Sequence, residues 1–192
     1  MIFFSLCPLP VLETERLLLR PIRRSDARDL YAYARDPEVS RHVLWTPHAS
    51  IADSRAFIRD IRRQYRKGFP SSFAIELKAE RKMIGTIGYM WINPEFRSCE
   101  IGYSLARPYW NQGIMTEALK ELIRYTFESM RINRIEAMHE VDNPASGRVM
   151  EKAGMLCEGT LRQRVRNKGH YSDVQLYSIL ACDRKTQKEN EA

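Results

Sequence analysis

The sequence has few residues that could cross-link it or bind a metal ion. Its four cysteines are scattered, with no Cys-x-x-Cys pair, and its four histidines lack the spacing of metal ligands. The residues are Cys7, Cys99, Cys157 and Cys182, and His42, His48, His139 and His170. Disulfide frameworks and structural zinc sites need closer clusters. We therefore predict reduced thiols and no metal.

The chain also lacks a hydrophobic run that could span a bilayer, which takes about 20 residues. The apolar segment 1–8 has neither the basic region nor the small-residue cleavage site of a signal peptide. We therefore expect a cytoplasmic protein with no membrane partner. The length of 192 residues predicts one domain, over residues 1–183, followed by a polar tail over 184–192.

Two common phosphate-binding motifs are absent. No Lys-Ser or Lys-Thr follows Gly113, which excludes a P-loop, and a single glycine is too few for a dinucleotide fingerprint. What is present is a short loop that leads from an apolar strand into an amphipathic helix. The first-turn N–H groups of such a helix favour an anion, and Gly113 lets the backbone approach it closely. The junction over residues 111–116 therefore predicts a phosphorylated ligand.

Hydrophobic periodicity and turn residues predict alternating strands and helices. The predicted strands cover residues 17–19, 73–77, 84–91, 99–105, 135–141, 155–161 and 171–180. The predicted helices run from a cap at Asp26 to 33, from a Ser50–Asp53 capping box to Gly68, and over 115–127 and 145–153. The strands over 73–77 and 84–91 form a hairpin pattern. The strands ending at Leu105 and Val141 are joined by a helical crossover, so they should be parallel neighbours in a mixed sheet.

Three segments in order carry a family resemblance. They are the strand Cys-Glu-Ile-Gly-Tyr-Ser-Leu over 99–105, the glycine loop Trp-Asn-Gln-Gly-Ile-Met over 110–115, and the turn Asn-Pro-Ala-Ser over 143–146. The sequence resembles the GCN5-related N-acetyltransferases (GNAT), especially the RimJ and RimL type that acetylate ribosomal-protein N-termini. The likeness covers nearly the whole chain. The family's acetyl-CoA signature, Gln/Arg-x-x-Gly-x-Gly/Ala, matches at Gly113, whereas its first and last places hold Trp110 and Met115.

The resemblance implies a fold, a cosubstrate and a site. The fold class is α/β (α+β): a single-domain GNAT fold whose mostly antiparallel sheet has flanking helices and a central parallel pair that splays apart. The cosubstrate is acetyl-CoA, whose pantetheine arm fills the gap. The implied cofactor-binding residues are Tyr103, Ser104, Leu105, Asn111, Gln112, Gly113, Ile114, Met115, Thr116, Asn143 and Ser146. The implied acceptor is a protein N-terminus, with a small-molecule amine as the alternative.

Glu100 and Ser146 are the predicted catalytic residues. Strand alternation places Glu100 on one face with Gly102 and Ser104, opposite Cys99, Ile101, Tyr103 and Leu105. Glu100 is then either a solvent-facing strand residue or, as the resemblance implies, the base that deprotonates the amine. Ser146 either caps the helix over 145–153, or leaves that role to Asn143 with Pro144 first in the helix and donates to the CoA sulfur.

Other candidates are weaker. Cys99 has no nearby histidine to activate it, and a lone cysteine in a strand is more often a small buried hydrophobe, which argues against a ping-pong scheme. Tyr171 and Tyr177 are alternative acids, but aromatic residues of a terminal strand are more often core.

The net charge of +7 allows several interpretations. Basic residues fall on one side of the second long helix, at Arg55, Arg59, Arg62, Arg63 and Arg66, and along 162–168. These runs are either solvated faces, a source of steering for the polyanionic cosubstrate, or a ribosome or RNA contact. A nucleic-acid-binding module without catalysis is the second class of function, and a monomer and a homodimer both remain open.

Overall fold

The computed structural model describes residues 9–183, and an eight-stranded sheet organises them. The strands are β1 (Leu12–Glu13), β2 (Leu17–Pro21), β3 (Ser72–Leu77), β4 (Lys82–Asn93), β5 (Ser98–Leu105), β6 (Arg134–Glu140), β7 (Leu156–Asn167) and β8 (His170–Leu180). Their spatial order is β1-β2-β3-β4-β5-β6-β8-β7. Every neighbouring pair is antiparallel except β5 and β6. The mixed sheet with one parallel pair is confirmed.

Five helices flank the sheet: α1 (Ala27–Ala34), α2 (Pro37–Ser40), α3 (Ile51–Arg66), α4 (Ile114–Glu128) and α5 (Pro144–Lys152). The predicted Ser50–Asp53 capping box starts α3. That helix ends at Arg66, and the predicted stop, Gly68, follows in the left-handed region with φ +80°. None of these helices in residues 9–183 is long and apolar enough to cross a membrane.

Most predicted elements are present, with three differences. The sequence analysis missed β1 and α2, both very short, and ended β7 at Leu161 although it continues to Asn167. Bulges interrupt β7 between Leu161 and Val165, and this break hides the second half of the strand from a period-2 pattern. The predicted tail over 184–192 lies outside the described residues.

The parallel pair separates soon after it begins. Register pairing between β5 and β6 covers only Ser98 to Glu100 of β5, against Arg134 to Glu136 of β6. Beyond this point β6 remains paired with β8 up to Glu140, while β5 remains paired with β4 up to Leu105. The two strands therefore splay as predicted, and the edge of β5 that faces β6 has no strand partner over 101–105.

Apolar side chains cover both faces of the sheet. On one face, α4 contributes Leu119 and Leu122 to a core that includes Cys99, Ile101 and Leu105 of β5. On the other face, α1 and α3 pack a second cluster around Ile22, Leu30 and Ile58. The membership of Cys99, Ile101 and Leu105 in the first core confirms the alternation predicted for β5, because Glu100 then points to the opposite face.

A buried ion-pair network links β2 to the start of α1. Arg20 donates from Nη1 and Nη2 to the two carboxylate oxygens of Asp26, at 2.8 and 2.9 Å, and from Nε to Glu76 of β3. Asp26 was predicted to cap α1, and it occupies the N-cap position, but its side chain makes no cap hydrogen bond with that helix. Its carboxylate instead binds Arg20 and the backbone N–H of Arg23.

Removing the cation from this network should strongly destabilise the fold. In Arg20→Met, two carboxylates whose side chains are only 5% and 13% exposed lose their partner. We expect a loss of about 3–5 kcal/mol in the free energy of unfolding, measured by urea denaturation. The control is Arg63→Met, since the Arg63–Asp60 pair is more than half exposed and should cost below about 1 kcal/mol. Similar losses in the two variants would contradict the prediction.

Candidate functional site

Two connected cavities occupy the gap between the splayed strands. The first, here the Glu100 cavity, has a volume of about 700 Å³ and lies between β5, β6 and α3. The second, the glycine-loop cavity, has about 550 Å³ and reaches the start of α4. Both are lined by Tyr103, Ser104, Asn143 and Ser146. The gap is therefore a continuous passage with Glu100 near one end and the glycine loop at the other.

The glycine loop has a conformation that favours small residues and asparagine. Asn111 and Gly113 both have positive φ, at 59° and 74°, and Gly113 is the N-cap of α4. The start of the loop is hydrogen-bonded to the end of β5, because Trp110 Nε1 donates to the Leu105 carbonyl at 2.7 Å. The first turn of α4 therefore presents its unpaired N–H groups towards the glycine-loop cavity.

Most of the predicted cofactor residues line this passage. They are Tyr103, Ser104, Leu105, Asn111, Gly113, Ile114, Met115, Thr116, Asn143 and Ser146. Gln112 is the exception, because its side chain turns away and donates to the Pro108 carbonyl at 2.8 Å. Trp110 lies in the lining instead, although the family signature has a polar residue at that place.

A clamp that the sequence analysis missed holds the loop from the far end of the chain. Arg16 donates from Nη1 to the Gln112 carbonyl at 3.0 Å and from Nε to Glu117 at 2.6 Å. Thr14 Oγ1 also donates to Glu117, at 2.6 Å. Burial would raise the pKa of Glu117, but the hydrogen bonds from Thr14 and Arg16 lower it overall. These partners lie about a hundred residues from Glu117, so no local pattern reveals them.

Glu100 is half-buried and lines the passage. The indole Nε1 of Trp91 donates to its carboxylate at 2.6 Å. A bulge in β4 makes this contact, because Tyr89 pairs with Ile101 while Trp91 pairs with Glu100, leaving Met90 as the extra residue. Burial raises the pKa of Glu100, a change that the Trp91 hydrogen bond and Arg164 partly offset. The sequence analysis missed Trp91 because a bulge changes which residues face one another.

Ser146 does not occupy the cap position of its helix. Asn143 is the N-cap of α5 and Pro144 is its first residue, although the Asn143 side chain makes no cap hydrogen bond. The Ser146 hydroxyl lies 2.8 Å from the hydroxyl of Tyr103, which also donates to the Ser146 carbonyl at 3.1 Å. Burial raises the pKa of Tyr103, so this phenol stays protonated. The pair links β5 to α5 across the gap.

The segment over residues 40–45, part of which lines the Glu100 cavity, is hydrogen-bonded to the β7–β8 turn. Lys168 Nζ donates to the carbonyls of Ser40 and Val43, at 2.7 and 2.9 Å. His42 Nδ1 lies 2.8 Å from Glu140 at the end of β6, and Asn167 donates to the other oxygen of the same carboxylate at 2.9 Å. One imidazole nitrogen of His42 and one carboxylate oxygen each of Glu140 and Asp142 lie within 4.8 Å of one another, a proximity that their sequence spacing did not indicate.

Burial distinguishes the three remaining candidates for catalysis, Cys99, Tyr171 and Tyr177. Burial, with Glu136 and Glu100 nearby, raises the pKa of the Cys99 thiol to about 12, which does not suit a nucleophile. Tyr177 belongs to the core and donates to Glu151 at 3.0 Å. The prediction that Tyr171 is core is wrong, because this residue is 64% exposed beside the β7–β8 turn.

Comparison with known proteins agrees with this geometry. The sequence model described as Acetyltransferase (GNAT) domain matches residues 16–156. The chain therefore belongs to the GNAT acetyltransferase family, and it is an acetyl-CoA-dependent N-acetyltransferase.

Individual relatives are similar over most of their length. The chain is 37% identical over 172 residues to "Uncharacterized N-acetyltransferase p20" of Bacillus licheniformis, covering 90% of this chain and 97% of that protein. It is 33% identical over 129 residues to "Ribosomal-protein-serine acetyltransferase" of Escherichia coli (strain K12), covering 67% and 71%. A GNAT-family acetyltransferase structure from Bacillus anthracis superimposes with a TM-score of 0.80 at 28% identity, covering 90% of this chain and 99% of that one.

The charge at the glycine loop can be tested with one matched pair of variants. Acetyl-CoA should raise the melting temperature of the wild type through mass action. Gly113→Asp should abolish this rise, because it places a carboxylate where phosphate is expected. Gly113→Asn has nearly the same shape, tolerates the left-handed conformation and should keep a measurable rise. A full rise with Gly113→Asp, or none with the wild type at millimolar acetyl-CoA, would contradict the prediction.

Proposed function

We propose that this enzyme transfers an acetyl group from acetyl-CoA to the N-terminal α-amine of a protein, with both substrates bound together in the passage. The observation that carries the proposal is the continuity of the two cavities, because a half-buried carboxylate and the glycine loop line the same passage. A site of this form lets an amine enter from the Glu100 side while CoA occupies the glycine-loop side.

The residues present fit CoA in two ways. Gly113 has only Arg16 Nη2 near the position of a Cβ, at 3.6 Å, so the front of the loop is open to a pyrophosphate. The unpaired edge of β5 over 101–105 offers backbone groups to the amides of the pantetheine arm. Tyr103, Ser104 and Leu105 would hold that arm, and residues 111–116 would hold the phosphates.

The chain's own groups suit direct transfer. Acetyl-CoA supplies a thioester carbonyl that an amine can attack. An α-amine has a pKa of about 8, so part of it is neutral at physiological pH and a strong base is unnecessary. Glu100 takes the proton that the nitrogen loses on acylation, and the Ser146 hydroxyl, beside Tyr103, donates a hydrogen bond to the sulfur as the carbon–sulfur bond breaks. Glu100 returns the accepted proton to solvent and the departing thiolate takes one up, so acetylation of the neutral amine releases no proton overall.

The Glu100 cavity, where the acceptor would bind, suits the N-terminal amine of an extended peptide. The Glu100 cavity has apolar walls, including Trp45, Phe57 and Met90, and carries the carboxylates of Glu100 and Glu140. Carboxylates attract an ammonium group, and a groove of about 700 Å³ accommodates several residues of a peptide. The Escherichia coli relative is named as a ribosomal-protein-serine acetyltransferase, which supports an acceptor of the same class. Such an acceptor would place the enzyme in the cytoplasm, as the sequence predicts.

The role of Glu100 predicts a defined loss of rate. Glu100→Gln should lower kcat by about 10²- to 10⁴-fold at neutral pH, because the amide cannot accept the proton. Acetyl-CoA affinity should be nearly unchanged in a binding titration. Ser146→Ala should show a smaller loss of kcat. A wild-type kcat for Glu100→Gln at saturating substrate would exclude the base role.

The pH profile gives an independent check on the same residue. Trp91→Phe removes a donor that stabilises the charged carboxylate, so the pKa of Glu100 should rise further. The break in log(kcat/KM) that marks protonation of Glu100 should therefore move to higher pH than in the wild type. It should be absent in Glu100→Gln, where only the amine titrates. A shift to lower pH, or an unchanged break, would mean that Glu100 is not the titrating base.

The acceptor class can be decided by direct competition. Peptides that start with Ser or Ala should be acetylated faster than polyamines or aminoglycosides, with internal lysines left unmodified, as measured by mass spectrometry. The same peptides with a blocked N-terminus are the matched control and should not react. A thousandfold preference for a small amine would overturn the protein acceptor and leave the transferase activity intact.

A further inference from the structure

A third cavity lies outside the acetyl-transfer passage, on the outer side of α3. It has a volume of about 490 Å³ and shares no lining residue with the two cavities in the gap. Five arginines line it, and we call this group the arginine face: Arg24, Arg55, Arg59, Arg62 and Arg66. The first comes from the short 3₁₀ turn before α1, and the others come from α3. We propose that the arginine face binds the sugar–phosphate backbone of a nucleic acid.

The five arginines of the arginine face carry positive charge that no ion pair neutralises in the part of the chain that the structure describes. All five side chains belong to exposed residues, and among residues 9–183 none of the five has an ion-pair partner within 4.0 Å. The nearby acids are already committed, Asp26 to Arg20 and Asp60 to Arg63. Arg62 makes one hydrogen bond, from Nη1 to the Ile22 carbonyl at 3.3 Å. An anion bound here could therefore meet all five guanidinium groups.

The spacing of the arginines fits a linear polyanion better than a single phosphate. Arg55, Arg59, Arg62 and Arg66 follow one another at intervals of four, three and four residues, so they form one stripe along α3. At 1.5 Å per residue the stripe is about 16 Å long. A nucleic-acid strand carries a phosphate about every 3.4 Å of helix axis, so several phosphates can face the stripe at once. Guanidinium groups bind phosphate oxygens in pairs, which suits this arrangement.

The lining also disfavours a protein partner and base-specific contacts. Protein interfaces depend on buried apolar or aromatic anchors, whereas the two other lining residues here are committed to the fold. Ile58 is buried in the core under α3, and the Tyr65 hydroxyl accepts from the Ile22 N–H at 3.2 Å and donates to the Ser72 carbonyl. Tyr65 is the one aromatic residue among those that line this cavity, and these two hydrogen bonds fix its hydroxyl. Binding should depend on the backbone and not on the base sequence.

The arginine face is close to the acceptor side of the enzyme. Phe57, Ile61 and Gln64 of the same helix line the Glu100 cavity, while the arginines lie on the other side. A helix with side chains is about 10–12 Å across. A nucleic acid on α3 would therefore lie one helix diameter from the place where the amine enters. The binding proposal is independent of the proposed acceptor, because its test measures association and not acetyl transfer.

The test is a titration of fluorescein-labelled 12-nucleotide RNA and DNA of the same sequence, followed by anisotropy. Saturating CoA is present throughout, so that the glycine loop cannot bind the oligonucleotide. With four or five phosphates neutralised, the slope of log K against log salt should be about −3, and affinity should fall roughly 60-fold between 50 and 200 mM salt. The oligonucleotide that binds with the lower Kd shows whether the arginine face prefers an RNA or a DNA backbone.

A matched pair of double variants locates the site. Arg59→Gln/Arg66→Gln should weaken binding at 50 mM salt at least tenfold and make the slope shallower by about 1.4, or 0.7 per arginine. Arg81→Gln/Arg131→Gln makes the same change of charge at exposed arginines outside the arginine face, and it should change affinity less than threefold. Melting temperatures and turnover of a peptide acceptor should match the wild type in both.

Three results would overturn the proposal. Equal losses in the two double variants would show that only net charge matters. Displacement of the oligonucleotide by poly-glutamate at the same concentration of charge would assign the arginine face to acidic polymers of any kind. Equally tight binding of inorganic phosphate at the same ionic strength would reduce it to a site for a single anion.

Discussion

The structure depends on how briefly β5 and β6 pair. Three residues of each strand are in register, ending at Glu100 of β5 and Glu136 of β6. Beyond these residues β5 is paired only with β4, and β6 only with β8. A fully paired sheet would place the backbone groups of β5 in a ladder and leave no passage. Because the separation leaves one edge of β5 unpaired while both strands remain anchored, the site combines free hydrogen-bonding groups with a rigid frame. Glu100, Tyr103 and Ser146 all take their positions from this separation.

Long-range polar contacts fix both ends of the gap. At the glycine loop, Arg16 joins the N-terminal segment to Gln112 and Glu117. At the opposite end, Lys168 and Glu140 hold the segment after α2 against the β7–β8 turn. These two clamps suit a site that binds two substrates, since each substrate would enter against a surface that is already ordered. The segments around His42 and Asn167 meet directly in the second clamp, where both residues contact Glu140.

The distribution of charge separates two tasks on either side of one helix. The inner side of α3 faces a cavity that carries carboxylates, as an amine acceptor requires, while its outer side carries the arginine face. With a net charge of +7, the enzyme would otherwise repel an acceptor protein that is itself basic. The conflict is smaller if the positive charge meets a nucleic acid and the amine meets Glu100 and Glu140, because each charge then faces its opposite at close range.

The sequence by itself determined most of the elements, the parallel pair, the glycine loop and the face on which Glu100 lies. These follow from local periodicity, from turn residues and from the crossover, all of which are properties of neighbouring residues. Only the tertiary structure decided that Trp91 hydrogen-bonds to Glu100, that Arg16 holds the glycine loop and that Gln112 turns out of the passage. It also decided that Asp26 binds Arg20 and that Tyr171 is exposed. Two physical reasons apply to the contacts: a bulge changes the register at Trp91, and a polar side chain takes the partner that the fold brings to it, which is often far away in sequence. Tyr171 is exposed because it lies beside the β7–β8 turn at the edge of the sheet.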